Sequence, residues 1–434
     1  MKKRYVPVIE KFRMSHRLSV LWLLCSIYIS RTWFVDLREI VGWPVAAWIV
    51  TGIALIPGYF VSFMLFSLLM DRQPPIKVQR PREPITVLIA AWNEERGIRD
   101  TLRQIHMQDY DGTIEVIVVD NHSRDRTADA ALAAAEEFGL SLRVMEESKP
   151  GKHHALNTGL EAVRTPYMVT LDADTLLHKD ALRHIVGRML SSPDDVCSVA
   201  GAILVRNCRD SLWTKIQEWD YFLAIASVKR LQGLYQQTLV SQGAFSLYKT
   251  GVVKAAGGWP DVIGEDIVLT WKFLHAGLKV FFEPTAVAFT TVPATFKQFA
   301  IQRSRWARGM IEGLKTVKPW EQPSVYAKYL TGVNLMMPFV DVAFTLFWIP
   351  GLVMACFGFY WIVGPLTLLV LPLTLLCYGS LYLYQKRVFR SLDLKVRQNN
   401  IGFVLFLLCY QMIMSPISVW GYVQELLRLK RVWR

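Results

Sequence analysis

Ile85-Thr86-Val87-Leu88-Ile89-Ala90 is an apolar run of strand length, and it leads directly into Ala91-Trp92-Asn93-Glu94-Glu95. The form recurs downstream. Residues 114–119 end at Asp120, residues 167–171 end at Asp172-Ala173-Asp174, and residues 142–145 and 199–205 are further short apolar runs. Helical patterns lie between them, such as residues 128–138, closed by Gly139. This alternation predicts an α/β domain with a largely parallel sheet over residues 84–293.

Outside that segment the chain changes character. Its 434 residues are 52% hydrophobic, with 15 Trp and 22 Phe, and the long apolar runs lie in the flanks. A membrane-spanning helix needs ~20 mostly apolar residues. Residues 18–35, interrupted by Arg31, and residues 43–70 are candidates before the domain. Residues 71–84 carry Pro74, Pro75, Pro81 and Pro84, which predict an extended linker. After the domain, residues 330–384 suit two spans broken near Gly358 or Gly364-Pro365, and residues 401–427 suit another.

The formal net charge of +13 fits a membrane protein. Lys2, Lys3, Arg4, Lys11, Arg13 and Arg17 precede the first span. Lys386, Arg387, Arg390, Lys395 and Arg397 fall in a loop at residues 385–400, and Arg428, Lys430, Arg431 and Arg434 close the chain. Basic clusters beside apolar runs follow the positive-inside pattern. They predict a multi-pass inner-membrane protein with a cytoplasmic domain and a short outer loop at Asp36, Arg38 and Glu39. A single span at 401–427 puts the C-terminal tail outside, against that pattern; a re-entrant hairpin at Pro416 returns it inside. Nucleic acid is not an expected partner, because zinc-finger spacing and the ribonucleoprotein aromatic motif are absent. None of the six Cys form a C-x-x-C pair, so neither zinc nor a disulfide framework is expected.

In open α/β sheets, ligands bind beyond the carboxyl ends of the strands. Asn93 and Glu94, Asp120, and Asp172 with Asp174 fall there. Two carboxylates two residues apart can hold a divalent cation that neutralises a diphosphate; a plain Asp-rich turn is the alternative. Gly151-Lys152-His153-His154-Ala155-Leu156-Asn157 offers a Lys for phosphate without P-loop spacing, and its histidines read as surface or capping residues. Gly264-Glu265-Asp266 opens a helical pattern. Acids there complement the helix dipole, and one of them can also take a proton from an attacking hydroxyl.

Residues 296–314 are amphipathic. Phe296, Phe299, Ala300, Ala307, Met310, Ile311 and Leu314 share one arc, which suits an interfacial helix or a helix packed on the domain. Gln302, Arg305 and Trp306 sit at i, i+3 and i+4 on the opposite face. An Arg can grip a phosphate bidentately, and a Trp can stack on a sugar ring; an interfacial Trp anchor is the alternative. Arg303 falls inside the apolar arc and has no role in this pattern.

The ordered set A-W-N-E (Ala91–Glu94), V-V-D (Val118–Asp120), G-K-x-x-A-L-N (Gly151–Asn157), D-A-D (Asp172–Asp174), S-Q-G (Ser241–Gly243), G-E-D (Gly264–Asp266) and Q-R-S-R-W (Gln302–Trp306) resembles the processive family 2 glycosyltransferases. These are the cellulose, chitin, hyaluronan and poly-N-acetylglucosamine synthases. Residues 213–217, Lys229-Arg230 and Gly257-Gly258-Trp259 look most like the last of these. Gly264 departs from the pattern, which usually has Thr or another residue there.

The resemblance implies a GT-A (Rossmann-like) cytosolic domain inserted between N-terminal and C-terminal transmembrane helices, and an inverting transfer. It implies that Ala91, Asn93, Glu94, Asp120, Lys152, Asp172, Gln302 and Arg305 bind the nucleotide sugar. Asp174 would bind Mg or Mn, and Asp266 would be the base. Ser241, Gln242, Gly243, Glu265 and Trp306 would meet the acceptor.

The chain is thus expected to divide into a tail with two helices (1–71), a GT-A domain (84–293), an interfacial helix region (294–320) and three or four transmembrane segments (330–427). The expected activity is polymerisation of N-acetylglucosamine from a UDP-sugar donor into a β-linked exopolysaccharide that crosses the membrane. Membrane lipid surrounds the helices, and their small number leaves room for a small accessory subunit. The rivals are single-sugar transfer to a lipid carrier, a hyaluronan-, chitin- or cellulose-type synthase, and a non-catalytic nucleotide-sugar sensor. The sugar itself is not legible, because one acetyl group is discriminated by pocket shape.

Overall fold

The computed structural model describes residues 6–365, 367 and 370–429. Lys2, Lys3, Arg4, Lys430, Arg431 and Arg434 lie outside them. Among the described residues, eight strands form one sheet: β1 (Ile85–Ala91), β2 (Ile114–Asp120), β3 (Leu142–Glu146), β4 (Tyr167–Asp172), β5 (Leu176–Leu177), β6 (Val196–Val205), β7 (Phe245–Lys249) and β8 (Lys279–Thr290). Their order is β3-β2-β1-β4-β7-β6-β8-β5.

The half from β3 to β4 is parallel throughout. The other half is mixed, with β7 antiparallel to β4 and β6, and β5 antiparallel to β8. This corrects the expectation of a largely parallel sheet. The reversal follows a helical excursion through Leu212–Trp219, Asp220–Ile225 and Ala226–Leu234, after which β7 inserts between β4 and β6.

Period-two alternation sends successive strand residues to opposite faces. Val87 and Ile89 pack against Ile98, Leu102 and Ile105 of the Ile98–His106 helix, within a core that also holds Ile185 of Ala181–Leu190. Leu88 lies in the other core, with Leu156 of Lys152–Ala162 and Leu269 of Glu265–His275. That second core continues into Phe12, Phe63 and Leu330 of the flanking helices. The Phe12 ring centroid is 5.2 Å from Tyr235 and 5.1 Å from Tyr326. The domain is therefore packed on those helices, not hung from its linker.

Among the described residues, four helices are long and apolar enough to cross a membrane: Val8–Val41, Trp43–Leu69, Val325–Cys356 and Asn400–Leu426. The first runs past Asp36, Arg38 and Glu39, so these end a helix and do not form a loop; Gly42, at φ 81°, makes the turn. Residues 71–84 hold neither helix nor strand, as their prolines predict. Val370–Ser391 is a further helix, outside the four, and it takes Lys386, Arg387 and Arg390 out of the expected loop. The last helix runs unbroken through Pro416, which removes the re-entrant hairpin.

The Phe296–Thr316 helix is enclosed on two sides. Gly309 and Gly313 lie against Gly264, Ile267 and Trp271, while Ser304 and Ala307 lie against Gly421 of the last helix. Phe299 and Ala307, from its apolar arc, are buried in protein. The helix is thus packed between the domain and the last long apolar helix.

Candidate active site

Strand register brings the motifs together. Ala91 pairs with Asp120, and Ala90 pairs with Asp172, so the ends of β1, β2 and β4 share one sheet mouth. Asn93 turns the chain there at φ 57°, a conformation that Asn tolerates better than most side chains. Its Oδ1 accepts from Arg124 N at 2.8 Å, and its own N–H donates to Ser123 Oγ at 2.9 Å. These bonds join the loops after β1 and β2. Asp120 Oδ1 is buried without a hydrogen-bond partner, although the flanking loops are well tied.

Asn121 is a residue the motifs missed. Its Oδ1 accepts from Gly151 N at 2.7 Å, and its Nδ2 donates to the carbonyls of Glu147 and Lys149 at 3.2 and 2.7 Å. It thereby fixes the loop that starts the Lys152–Ala162 helix. His153, expected at the surface, is buried instead, with Nε2 3.3 Å from Asp261.

Lys152 is ion-paired with Asp172 and lies against Gly243, where an added Cβ would come 2.7 Å from its Nζ. Burial works to lower the Lys152 pKa, but the charges of Asp172, Glu265 and Asp266 outweigh it and raise the net value. One ammonium thus faces three carboxylates. Asp174 lies just past Asp172, and its Oδ1 accepts from Thr175 and Thr290 hydroxyls at 3.3 Å each. Burial and the Asp172 charge push Asp174 up to about 6. Burial and the charges of Asp174, Asp172 and Asp125 push Glu94 up to about 7. The mouth therefore holds more negative charge than Lys152 offsets.

Glu265 and Asp266 open the Glu265–His275 helix. Burial raises both, and the Asp266 charge raises Glu265 further. Lys152 and Lys229 oppose the rise at Asp266, whose Oδ1 also accepts from Ile267 N at 2.8 Å. Lys229, itself lowered to about 7 by burial, donates to the Val240 carbonyl.

The Ser241-Gln242-Gly243 stretch divides in role. Ser241 is fully buried, its hydroxyl pairs with Ser198 at 2.8 Å, and its carbonyl accepts from Tyr248 Oη at 2.8 Å. These bonds are internal to the domain. Gln242 retains a buried, unpartnered Oε1, and Gly243 gives Lys152 its space.

On the Phe296–Thr316 helix, Arg305 lies within electrostatic reach of Glu265, and Gln302 keeps a buried, unpartnered Oε1. Trp306 is 40% exposed. Arg303 is buried and paired with Asp220 at 2.7 Å, which explains its place in the apolar arc. Glu312, also missed, accepts from Gly264 N at 2.9 Å.

Carboxylates at a sheet mouth, a lysine among them and a buried acid pair at a helix start are an arrangement suited to a glycosyltransferase of the GT-A fold. Residues 81–309 match the family model described as glycosyltransferase like family 2, and the chain belongs to that family. It is 33% identical over 263 residues to poly-beta-1,6-N-acetyl-D-glucosamine synthase of Staphylococcus aureus, covering 60% of this chain and 61% of that one. The same enzyme of Staphylococcus epidermidis is 32% identical over 228 residues, covering 52% and 54%. The chain thus spans about three fifths or less of these relatives. Among solved structures, the mannosyltransferase PcManGT of Pyrobaculum calidifontis shares the fold at a TM-score of 0.58 and 22% identity, over 86% of this chain and 96% of that one.

Proposed function

We propose that this protein polymerises N-acetylglucosamine from UDP-N-acetylglucosamine into a β-linked polysaccharide that leaves through its membrane helices. The observation that carries the reading is the convergence on Lys152, which pairs with Asp172 and feels the charges of Glu265 and Asp266. The name of the Staphylococcus relatives supports the sugar.

In this reading the donor lies across the mouths of β1, β2 and β4. Asp120 and Asn93 meet the uridine, and the vacant Asp120 Oδ1 accepts from the base. Gln302 and Arg305 close over the diphosphate, with Arg305 supplying a planar cationic fork. Lys152, paired with Asp172, lies beside the donor sugar. Asp266 takes the proton from the acceptor hydroxyl as that oxygen attacks the anomeric carbon from the face opposite UDP, which yields inversion. Burial raises the Asp266 pKa, and a raised pKa makes a stronger base. Gln242, Gly243, Glu265 and Trp306 frame the acceptor.

The carboxylate cluster also fits a divalent cation, Mg or Mn. Glu94 and Asp174 are both raised, a sign of negative charge that lacks a counterpart. Asp174 would hold the ion, with Asp172 beside it. Among the described residues no three His, Cys, Asp or Glu side chains form a cage, so diphosphate oxygens would complete the ligand set. The ion supplies charge neutralisation at the departing diphosphate. The mannosyltransferase PcManGT was solved with GDP-Man and Mn2+, which agrees with this reading.

The polymer's path would run among the four long helices, whose packing must satisfy every backbone polar group away from water. In this reading the protein lies in the inner membrane with its catalytic domain on the cytoplasmic side, and lipid and a small accessory subunit complete the passage. Incubating the full chain in lipid nanodiscs with a panel of UDP-sugars tests the donor. UDP release should be fastest with UDP-N-acetylglucosamine; release only from another sugar contradicts the assignment.

A further inference from the structure

The guanidinium of Arg303 is held in an aromatic box. Its Cζ lies 4.0 Å from the Trp306 ring centroid, 5.2 Å from Phe299 and 5.6 Å from Tyr221. Its Nη2 donates to Asp220 Oδ2 at 2.7 Å, and the side chains of the pair are 2% and 5% exposed. Asp220 and Tyr221 sit in a π-helical turn, Asp220–Ile225, which points both toward the Phe296–Thr316 helix. Wide turns of this kind are rare and recur at functional sites. Tyr221 is also close enough to Asp172 and Asp174 to feel their charges. Tyr410 of the last apolar helix lies within electrostatic reach of Asp220.

A buried ion pair is expensive to desolvate and is weak support for stability alone. Here the pair fixes the one guanidinium on which the half-exposed Trp306 ring rests. A guanidinium over an indole face is attracted by the ring quadrupole, and its flat shape limits how the indole can tilt.

We propose that Arg303, anchored by Asp220, is a positioning residue that sets the Trp306 ring as the platform for the acceptor sugar. The inference rests on the reading of Trp306 as an acceptor contact.

The test uses the full chain in lipid nanodiscs with UDP-N-acetylglucosamine and short N-acetylglucosamine oligosaccharides. Arg303→Lys keeps the charge and loses the flat fork. It should raise the acceptor KM about tenfold and leave the donor KM within about twofold. It should also raise the fraction of donor hydrolysed to free sugar. In a Trp306→Ala background it should add nothing. Asp220→Asn should shift the acceptor KM the same way, by less. An acceptor KM unchanged in Arg303→Lys, or a full further loss in the double variant, overturns the proposal. A second readout does not need turnover: 19F spectra of the protein labelled with 5-fluorotryptophan, the Trp306 line assigned by Trp306→Phe. That line should move and broaden in Arg303→Lys; an unmoved line overturns the proposal. A wild type that transfers no sugar sinks the functional reading instead, and leaves the spectral test to decide Arg303.

Discussion

Gly264 and Gly309 lie face to face: a Cβ on Gly264 would come 2.6 Å from Gly309 Cα, and a Cβ on Gly309 would come 2.8 Å from Gly264 Cα. The start of the helix carrying Glu265 and Asp266 thus touches the helix carrying Arg305 and Trp306 backbone to backbone. Glu312 locks the contact by accepting from Gly264 N at 2.9 Å. A side chain on either glycine would not fit this contact.

Gly309→Ala should therefore push the base away from the diphosphate grip. Overpacking of this kind costs ~1–3 kcal/mol. Transfer should fall far more than thermal stability does. Steady-state kinetics beside a melting curve reads both; an active Gly309→Ala variant removes the proposed coupling.

Asp266→Asn should abolish proton transfer and reduce kcat by ~10²–10⁴-fold, the usual worth of a general base. UDP affinity, measured by calorimetry, should change little. Polymer made at the normal rate by this variant sinks the base assignment.

Cation binding should depend on pH in a defined window. Glu94 at about 7 and Asp174 at about 6 are raised, so both bind protons as pH falls from 8 to 5.5. A proton there competes with a divalent cation. Mn affinity should weaken as pH falls through this range, and Mn binding at pH 7 should release protons. Stability without the cation has the opposite sign: a raised folded-state pKa stabilises at low pH and loses that contribution as pH rises through 6 to 7. The melting temperature without Mn should thus rise as pH drops from 8 to 6. Mn affinity independent of pH would place the ion elsewhere.

Asn121→Ala should free the loop that presents Lys152. It leaves Gly151 N and two carbonyls without their side-chain partner, at ~1–3 kcal/mol for a buried unsatisfied group. Donor KM should rise more than acceptor KM. Equal kinetics in wild type and variant would show that the loop holds itself.

The parallel half of the sheet was legible because each strand is an apolar run ending in an acid, as at Val118-Val119-Asp120 and Thr170-Leu171-Asp172. The mixed half was not. β5 has two residues, and β7, Phe245-Ser246-Leu247-Tyr248-Lys249, carries too few apolar residues to stand out. At the site, short motifs marked Lys152, Asp172, Asp174 and Asp266. Pairings across long separations left no local trace: Arg303 with Asp220, 83 residues apart, and Glu312 with Gly264, 48 apart. The burial of Ser241 left no trace either, because burial, unlike residue type, has no signature in three residues.

The most direct test of the central claim is the product. Purified protein in nanodiscs would be given radiolabelled UDP-N-acetylglucosamine, and the product sized and digested with linkage-specific hexosaminidases. The expected product is a polymer of β-linked N-acetylglucosamine, lost in Asp266→Asn. A single labelled sugar on a lipid, or no incorporation at all, would contradict it.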